Sequence, residues 1–154
     1  VNELGRTRPM FIADFWNDGH FTQGCIAGGR FYAHIPPTGD VEPCAFAHFA
    51  THNINQCSLV EALKSPLFAA YQRRIPFNAN HYAPCPIIDR PEALREMVAE
   101  SGARPTHEGA ERVLQGERAA FLDRLSAAWR EAADRLEAED REAAKQREPV
   151  AAGR

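Results

Sequence analysis

The sequence has no apolar run long enough to cross a bilayer as a helix, and its start shows no signal-peptide pattern. The expectation is a cytoplasmic protein with no membrane partner. It has no strong charge bias either. The net charge is −3, and although Arg greatly outnumbers Lys, the basic residues alternate with Glu and Asp. That pattern argues against a basic stripe for nucleic acid. Cysteines are few, four in all, and they lack the paired short spacings of a zinc ribbon. In a chain of cytosolic character such cysteines favour metal or redox chemistry over disulfides. There is no internal repeat, and Val1 stands where an initiator Met would, so a piece of a longer chain is expected. The 154 residues suffice for one core of ordinary size.

The chain is organised around Gly24 to Cys44, GCIAGGRFYAHIPPTGDVEPC, in which thirteen residues separate Cys25 from Gly39 and four more lead to Cys44. Arg30 to Ile35 alternates and is aromatic-rich, Pro36 to Asp40 reads as a turn, and Val41 to Cys44 returns. A small β-hairpin is expected, with two thiols at one end of its ribbon. Gly28 and Gly29 leave that end free of side chains, so the backbone can approach something bulky. Cys85 sits between Pro84 and Pro86, where the chain is stiff.

The rest reads as α+β: the cysteine-bearing hairpin, then short helices, then a long C-terminal amphipathic helix. Met10 to Phe15 is strand-like, and Asp14 and Asp18 near its end are candidate site residues, better read as a strand cap and a turn former. Ser58 with Glu61 forms a capping box, and Ser65-Pro66 starts a second helix. Leu59, Leu63 and Leu67 fall at helical spacing as one core face. Pro91 opens a further helix that buries Leu94, Met97 and Val98 and stops at Gly102. From 107 to 147 the chain is rich in Ala, Glu and Arg. Leu114, Phe121, Leu125, Trp129 and Leu136 mark an apolar side, with a break at Gly116 and a last third that projects into solvent. Residues 148–154 read as a frayed tail. On this pattern the long helix is an element separate from the cysteines.

Cys25, Cys44 and Cys85 are the candidate metal ligands. Spacing alone leaves three readings level: an iron–sulfur cluster, a zinc held by three Cys and one His, or inert buried thiols. Cys57 is a candidate fourth ligand, although a thiol just before the Ser58 cap packs easily as a small buried group. His48 and His81 are conceivable substitutes, each read more readily as a structural or surface residue. Arg30, Tyr32 and His34 alternate on one strand face, where they can line a substrate cavity or face solvent.

At these residues the sequence resembles the C-terminal auxiliary-cluster region, of the SPASM or twitch type, of radical S-adenosylmethionine (radical SAM) enzymes. Cys25, Gly39 and Cys44 match the opening of that type's cysteine signature. DFWNDG at Asp14–Gly19, GCIAGGR at Gly24–Arg30, GDVEPC at Gly39–Cys44, SPLF at Ser65–Phe68 and PCP at Pro84–Pro86 carry the likeness, which runs from about residue 8 to about residue 107. The further cysteines of a second auxiliary cluster are absent, so the one-cluster twitch form fits better. The catalytic motif Cys-x-x-x-Cys-x-x-Cys is also absent.

The resemblance implies that residues 1–20 end an upstream barrel or linker. Residues 21–105 would form the auxiliary-cluster domain, 106–147 a helical extension and 148–154 a tail. It implies one auxiliary [4Fe-4S] cluster on Cys25, Cys44 and Cys85, with Cys57 in reserve. S-adenosyl-L-methionine would enter only through the missing barrel, which is the implied partner, in the same chain or another. The parent would be a radical SAM enzyme acting on a peptide or small molecule, and this chain alone would be inactive. The competing reading is a structural zinc-binding interaction module with no catalytic role.

Overall fold

The computed structural model describes Thr7, Arg8 and residues 19–147. The expected strand at Met10 to Phe15, the candidates Asp14 and Asp18, and residues 148–154 lie outside the described residues. The helices are α1 (Gly19–Thr22), α2 (Leu59–Leu63), α3 (Pro66–Arg73), α4 (Pro91–Ser101) and the long α5 (Gly116–Arg147). Strands β1 (Phe49–Ala50) and β2 (Arg104–Pro105) pair antiparallel, with Phe49 opposite Pro105 and Ala50 opposite Arg104. The protein is α+β, and about half of the described residues are helical. Among the described residues no helix is long and apolar enough to cross a membrane.

The helix starts follow from local chemistry. The Ser58 side chain accepts from the Glu61 N–H while the Glu61 carboxylate accepts from the Ser58 N–H, a complete capping box on α2. Ser65 caps α3, with Pro66 in its first turn. Gly102, at φ 65°, ends α4 in the left-handed conformation that glycine adopts without penalty. α4 buries Leu94, Met97 and Val98 on the core. Arg73 and Arg74 of the α3 end hold Glu100 of α4 at 2.7 Å each. The core gathers Phe49, Leu67, Tyr71, Phe77, Leu94 and Met97, with Val41, Ala62 and Phe68 in a second, smaller cluster.

Three expectations need correction. The hairpin between Cys25 and Cys44 is reduced to one bridge, in which His34 and Glu42 exchange N–H···O bonds of 3.0 and 2.9 Å. Upstream of it, Gly28 and Gly29 turn the chain back through positive φ, and Gly29 N–H and Phe31 N–H bond Tyr32 and Ile26 locally. Downstream, Val41 N–H donates to His52 instead of extending the ladder, and Pro43 has no N–H to offer. Secondly, Leu59 is 48% exposed. The end of α2 and the new cap at Ser65 reset the helical rotation, so the leucine spacing does not carry across.

The third correction concerns α5. It starts at Gly116, after a 3₁₀ turn at Ala110–Val113, and its buried side is Ala119, Leu122, Ser126 and Ala133. Phe121, Leu125 and Leu136 are 48%, 40% and 40% exposed. The reason lies in what the helix packs on. Its partner is the irregular segment around 80–90, whose carbonyls need donors and a close approach. Small residues allow the approach, and the donors come from Ser126 Oγ to the Asp89 carbonyl at 2.6 Å and Trp129 Nε1 to the Tyr82 carbonyl at 3.1 Å. Asn80 Nδ2 donates to Asp134 at 2.9 Å, and Arg95 of α4 pairs with Asp123 at 2.8 Å. The helix is therefore part of the frame of the Cys85 segment. Past Leu136 most side chains are exposed, as its composition predicts.

A candidate metal centre ringed by three thiols

Cys25, Cys44 and Cys85 line one cavity of about 230 Å³, together with Ile26, Ala27, Tyr32, Ala45, Phe46 and Pro84. Three distant segments supply the thiols, and each is fixed by contacts of its own. The Cys25 turn is held where Gly28 lies flat on α3. A Cβ there would stand 2.5 Å from the Tyr71 ring, and Gln72 Nε2 donates to the Gly28 carbonyl at 2.9 Å. A Cβ on Gly29 would stand 2.8 Å from the Phe68 ring. The bulky objects that the glycines approach are thus Tyr71 and Phe68. The Cys44 turn is pinned by the Ala45 N–H, which donates to the Tyr32 hydroxyl at 3.0 Å. In the Cys85 turn, Asp89 Oδ2 accepts the Cys85 N–H at 2.7 Å while the Asp89 N–H donates to the Cys85 carbonyl at 2.9 Å.

The peptide groups after each cysteine face its sulfur. Ala27 N–H is directed at Cys25, Phe46 and Ala47 at Cys44, and Ile87 and Ile88 at Cys85. Phe46 N and Ile87 N lie 3.3 and 3.4 Å from their sulfurs. Such donors stabilise a thiolate over a thiol. Burial opposes them and prevails: it raises the Cys25 thiol, and pushes Cys44 up to about 11 and Cys85 up to about 12. At neutral pH the three are therefore thiols, and a cation that binds them displaces their protons.

No family model matches the chain, and neither does any curated protein or solved structure.

Among the described residues, only two buried side-chain oxygens or nitrogens have no hydrogen-bond partner: the Tyr71 hydroxyl and Asp89 Oδ1. Both belong to the surroundings of the thiols. Burial, then the neighbouring Cys25, Cys44 and Cys85 sulfurs, raise the Tyr71 phenol well above its usual range, so it keeps its proton. Burial pushes the Asp89 carboxyl up to about 6, against the pull of the Cys85 N–H. Neither residue stood out in the sequence. Tyr71 reads there as helix core, and the only hint of Asp89 is its place four residues after Cys85.

The other candidates lie elsewhere. Cys57 packs with Val41, Ala62 and Phe68, and its Sγ donates to the Asn53 carbonyl at 3.4 Å. His81 lines a wider cleft with Gln23, Arg30 and Gln72. His48 stands over Glu42, 3.6 Å from its carboxylate, and its ring lies 5.2 Å from that of His107. Arg30, Tyr32 and His34 do not share one lining. Tyr32 reaches the thiol cavity, Arg30 binds the Cys25 carbonyl at 3.2 Å from outside, and His34 bonds Glu42 at 2.8 Å. Among the described residues no three His, Cys, Asp or Glu side chains are arranged to hold a single metal ion. The three sulfurs ring a space instead.

Proposed function

We propose that Cys25, Cys44 and Cys85 hold an iron–sulfur cluster, and that the chain is the auxiliary-cluster part of a radical SAM enzyme. The observation that carries the reading is the convergence of three thiols from separate segments on one cavity, each with peptide N–H groups directed at its sulfur. Soft sulfur donors suit iron, and N–H···S bonds are a regular part of such sites. The cavity, about 230 Å³, exceeds the roughly 150 Å³ that admits a benzene-sized guest, so it has room for more than a bare ion. The two unpartnered buried oxygens flank the same place, where a bound group accounts for them better than an inert core does.

When bound, the cluster would supply one-electron chemistry. The chain's own residues hold and shield it. The peptide groups of Ala27, Phe46, Ala47, Ile87 and Ile88 balance thiolate charge. Tyr32 fixes the Cys44 turn, and Asp89 fixes the Cys85 turn. Cys57, His48 and His81 do not line the cavity, so in this reading a fourth ligand would be a non-protein group or substrate. Phe46, at the cavity and 66% exposed, offers an apolar edge to the barrel that would complete the enzyme in a cytoplasmic setting.

The test is anaerobic reconstitution with iron and sulfide. The chain should turn brown and contain both elements. Cys25→Ala, Cys44→Ala and Cys85→Ala should each lose most of the iron, while Cys57→Ala keeps it. A colourless protein that takes up one zinc through the same cysteines would refute the cluster and leave a structural zinc module.

A further inference from the structure

We infer that the Tyr71 hydroxyl is a built-in hydrogen-bond donor to the sulfur of Cys25, set behind the site to raise the reduction potential of whatever redox centre the three cysteines hold. The inference rests on the cluster reading above and goes beyond it by giving a task to a residue that is not a ligand.

Tyr71 is fully buried on α3, in the core cluster that contains Cys44 and against which Cys25 packs. Its ring is locked from two sides. The Phe77 ring meets it edge-on at 5.0 Å between centroids, and Gly28 presses its backbone against the other contact. Gly28 is also three residues from Cys25, so the contact that locks the ring fixes the Cys25 turn. The hydroxyl at the end of this fixed ring makes no well-formed hydrogen bond. An apolar core position would be served better by Phe, because a buried hydroxyl without a partner costs about 1–3 kcal/mol. The groups beside it able to use its proton are the sulfurs of Cys25, Cys44 and Cys85, with Cys25 the one within hydrogen-bonding reach. A neutral thiol is a poor acceptor, whereas a metal-bound thiolate is a good one. The hydroxyl is thus mismatched with a thiol and matched with a thiolate.

A donor to a ligand sulfur withdraws charge from the centre and favours its reduced state, which carries one more electron. The hydroxyl is fully buried, which makes that bond count for more than it would in solvent. Asp89 Oδ1 cannot serve in the same way while ionised, since it only accepts.

The experiment uses the full chain reconstituted with iron and sulfide, with wild type and Tyr71→Phe compared by iron and sulfide content and by spectroscopic redox titration. The expected result is equal iron content and a lower potential in the variant. The shift should be on the order of tenfold in the oxidised-to-reduced ratio at fixed potential, or about 59 mV for a one-electron couple. Before reconstitution the variant should melt at the same temperature as wild type or higher, because it sheds an unpartnered hydroxyl. A second variant, with 3-fluorotyrosine at position 71, keeps the hydroxyl but makes it a stronger donor and should move the potential upward. An unchanged potential with iron retained overturns the inference while the cluster reading stands. Loss of iron from a folded Tyr71→Phe protein also overturns it, since the hydroxyl would then hold the site together rather than tune it. A wild-type chain that takes up no iron defeats the cluster reading and the inference with it.

Discussion

Replacing Ser126 on the long helix tests how that helix reaches the thiol site. Ser126 and Asp89 are both fully buried, and the 2.6 Å bond from Ser126 Oγ satisfies the Asp89 carbonyl. Ser126→Ala leaves that carbonyl buried without its donor, at a cost of about 1–3 kcal/mol. With a urea m-value of about 2 kcal/mol/M, the unfolding midpoint should fall by roughly 0.5–1.5 M. Leu125 is the neighbouring control. It is 40% exposed, so Leu125→Ala should change stability by about 0.5 kcal/mol or less. An apolar stripe read from sequence orders the two variants the other way, because a core leucine would cost about 2–5 kcal/mol. Urea unfolding followed by circular dichroism decides between them. Because Asp89 also carries the Cys85 turn, Ser126→Ala should retain less iron after reconstitution than wild type, but more than Cys85→Ala. A larger loss from Leu125→Ala than from Ser126→Ala would show that α5 packs through its other face, and the link between helix and site would fail.

Gly28→Ala should be among the most damaging single changes. It imposes a left-handed conformation costing about 1–2 kcal/mol and drives a methyl into the Tyr71 ring for about 1–3 kcal/mol more; thermal melting checks the sum. Asp40→Asn should be destabilising near pH 6 and less so in acid. Burial raises the Asp40 carboxyl, but hydrogen bonds from Asn53, Arg104 and Thr38 outweigh it and hold the group below its ordinary value of 3.8. A depressed carboxyl contributes stability above its unfolded value and loses it as pH falls through the lower folded one. The gap between wild-type and variant melting temperatures should therefore close below about pH 4, and a gap that widened in acid would refute the assignment. The chain should also fold without metal, giving a cooperative thermal transition after chelation. A disordered metal-stripped chain would contradict it.

Much of the frame was legible because it depends on local chemistry. Ser58 with Glu61, Ser65 with Pro66, and Gly102 after α4 each act within a few residues, so their effect can be read from order alone. The trio Cys25, Cys44 and Cys85 stood out from Cys57 by the same kind of reading, and in the structure it is that trio which lines one cavity. What escaped depends on contacts across the chain. The hairpin shrank to one bridge because Val41 pairs with His52, a partner eleven residues on. Ser126 was passed over on α5 because a hydroxyl does not belong to an apolar stripe, yet its task is to serve a carbonyl on a distant loop. Tyr71 looked like any aromatic on a helix face. Only the absence of a partner for its hydroxyl marks it, and that cannot be seen without the packing.

How the thiols are held bears on what kind of site this is. In a small zinc finger the metal is the main cross-link, and the apo chain is unfolded. Here each cysteine turn has an anchor that involves no metal: Gly28 on Tyr71 with Gln72 for Cys25, the Tyr32 hydroxyl for Cys44, and Asp89 with Ser126 for Cys85. Two of these anchors lead back to helices, Gly28 to α3 and Ser126 to α5. A site built in this way spends little of its binding free energy on ordering the chain. It also sets its three sulfurs around one cavity, because the turns fix their positions before anything binds. A single zinc would have to draw three sulfurs to about 2.3 Å from one point, against those anchors. The Gly28 anchor, with Phe77, also fixes the Tyr71 ring, so the place of its hydroxyl beside Cys25 is a property of the fold rather than a consequence of metal uptake.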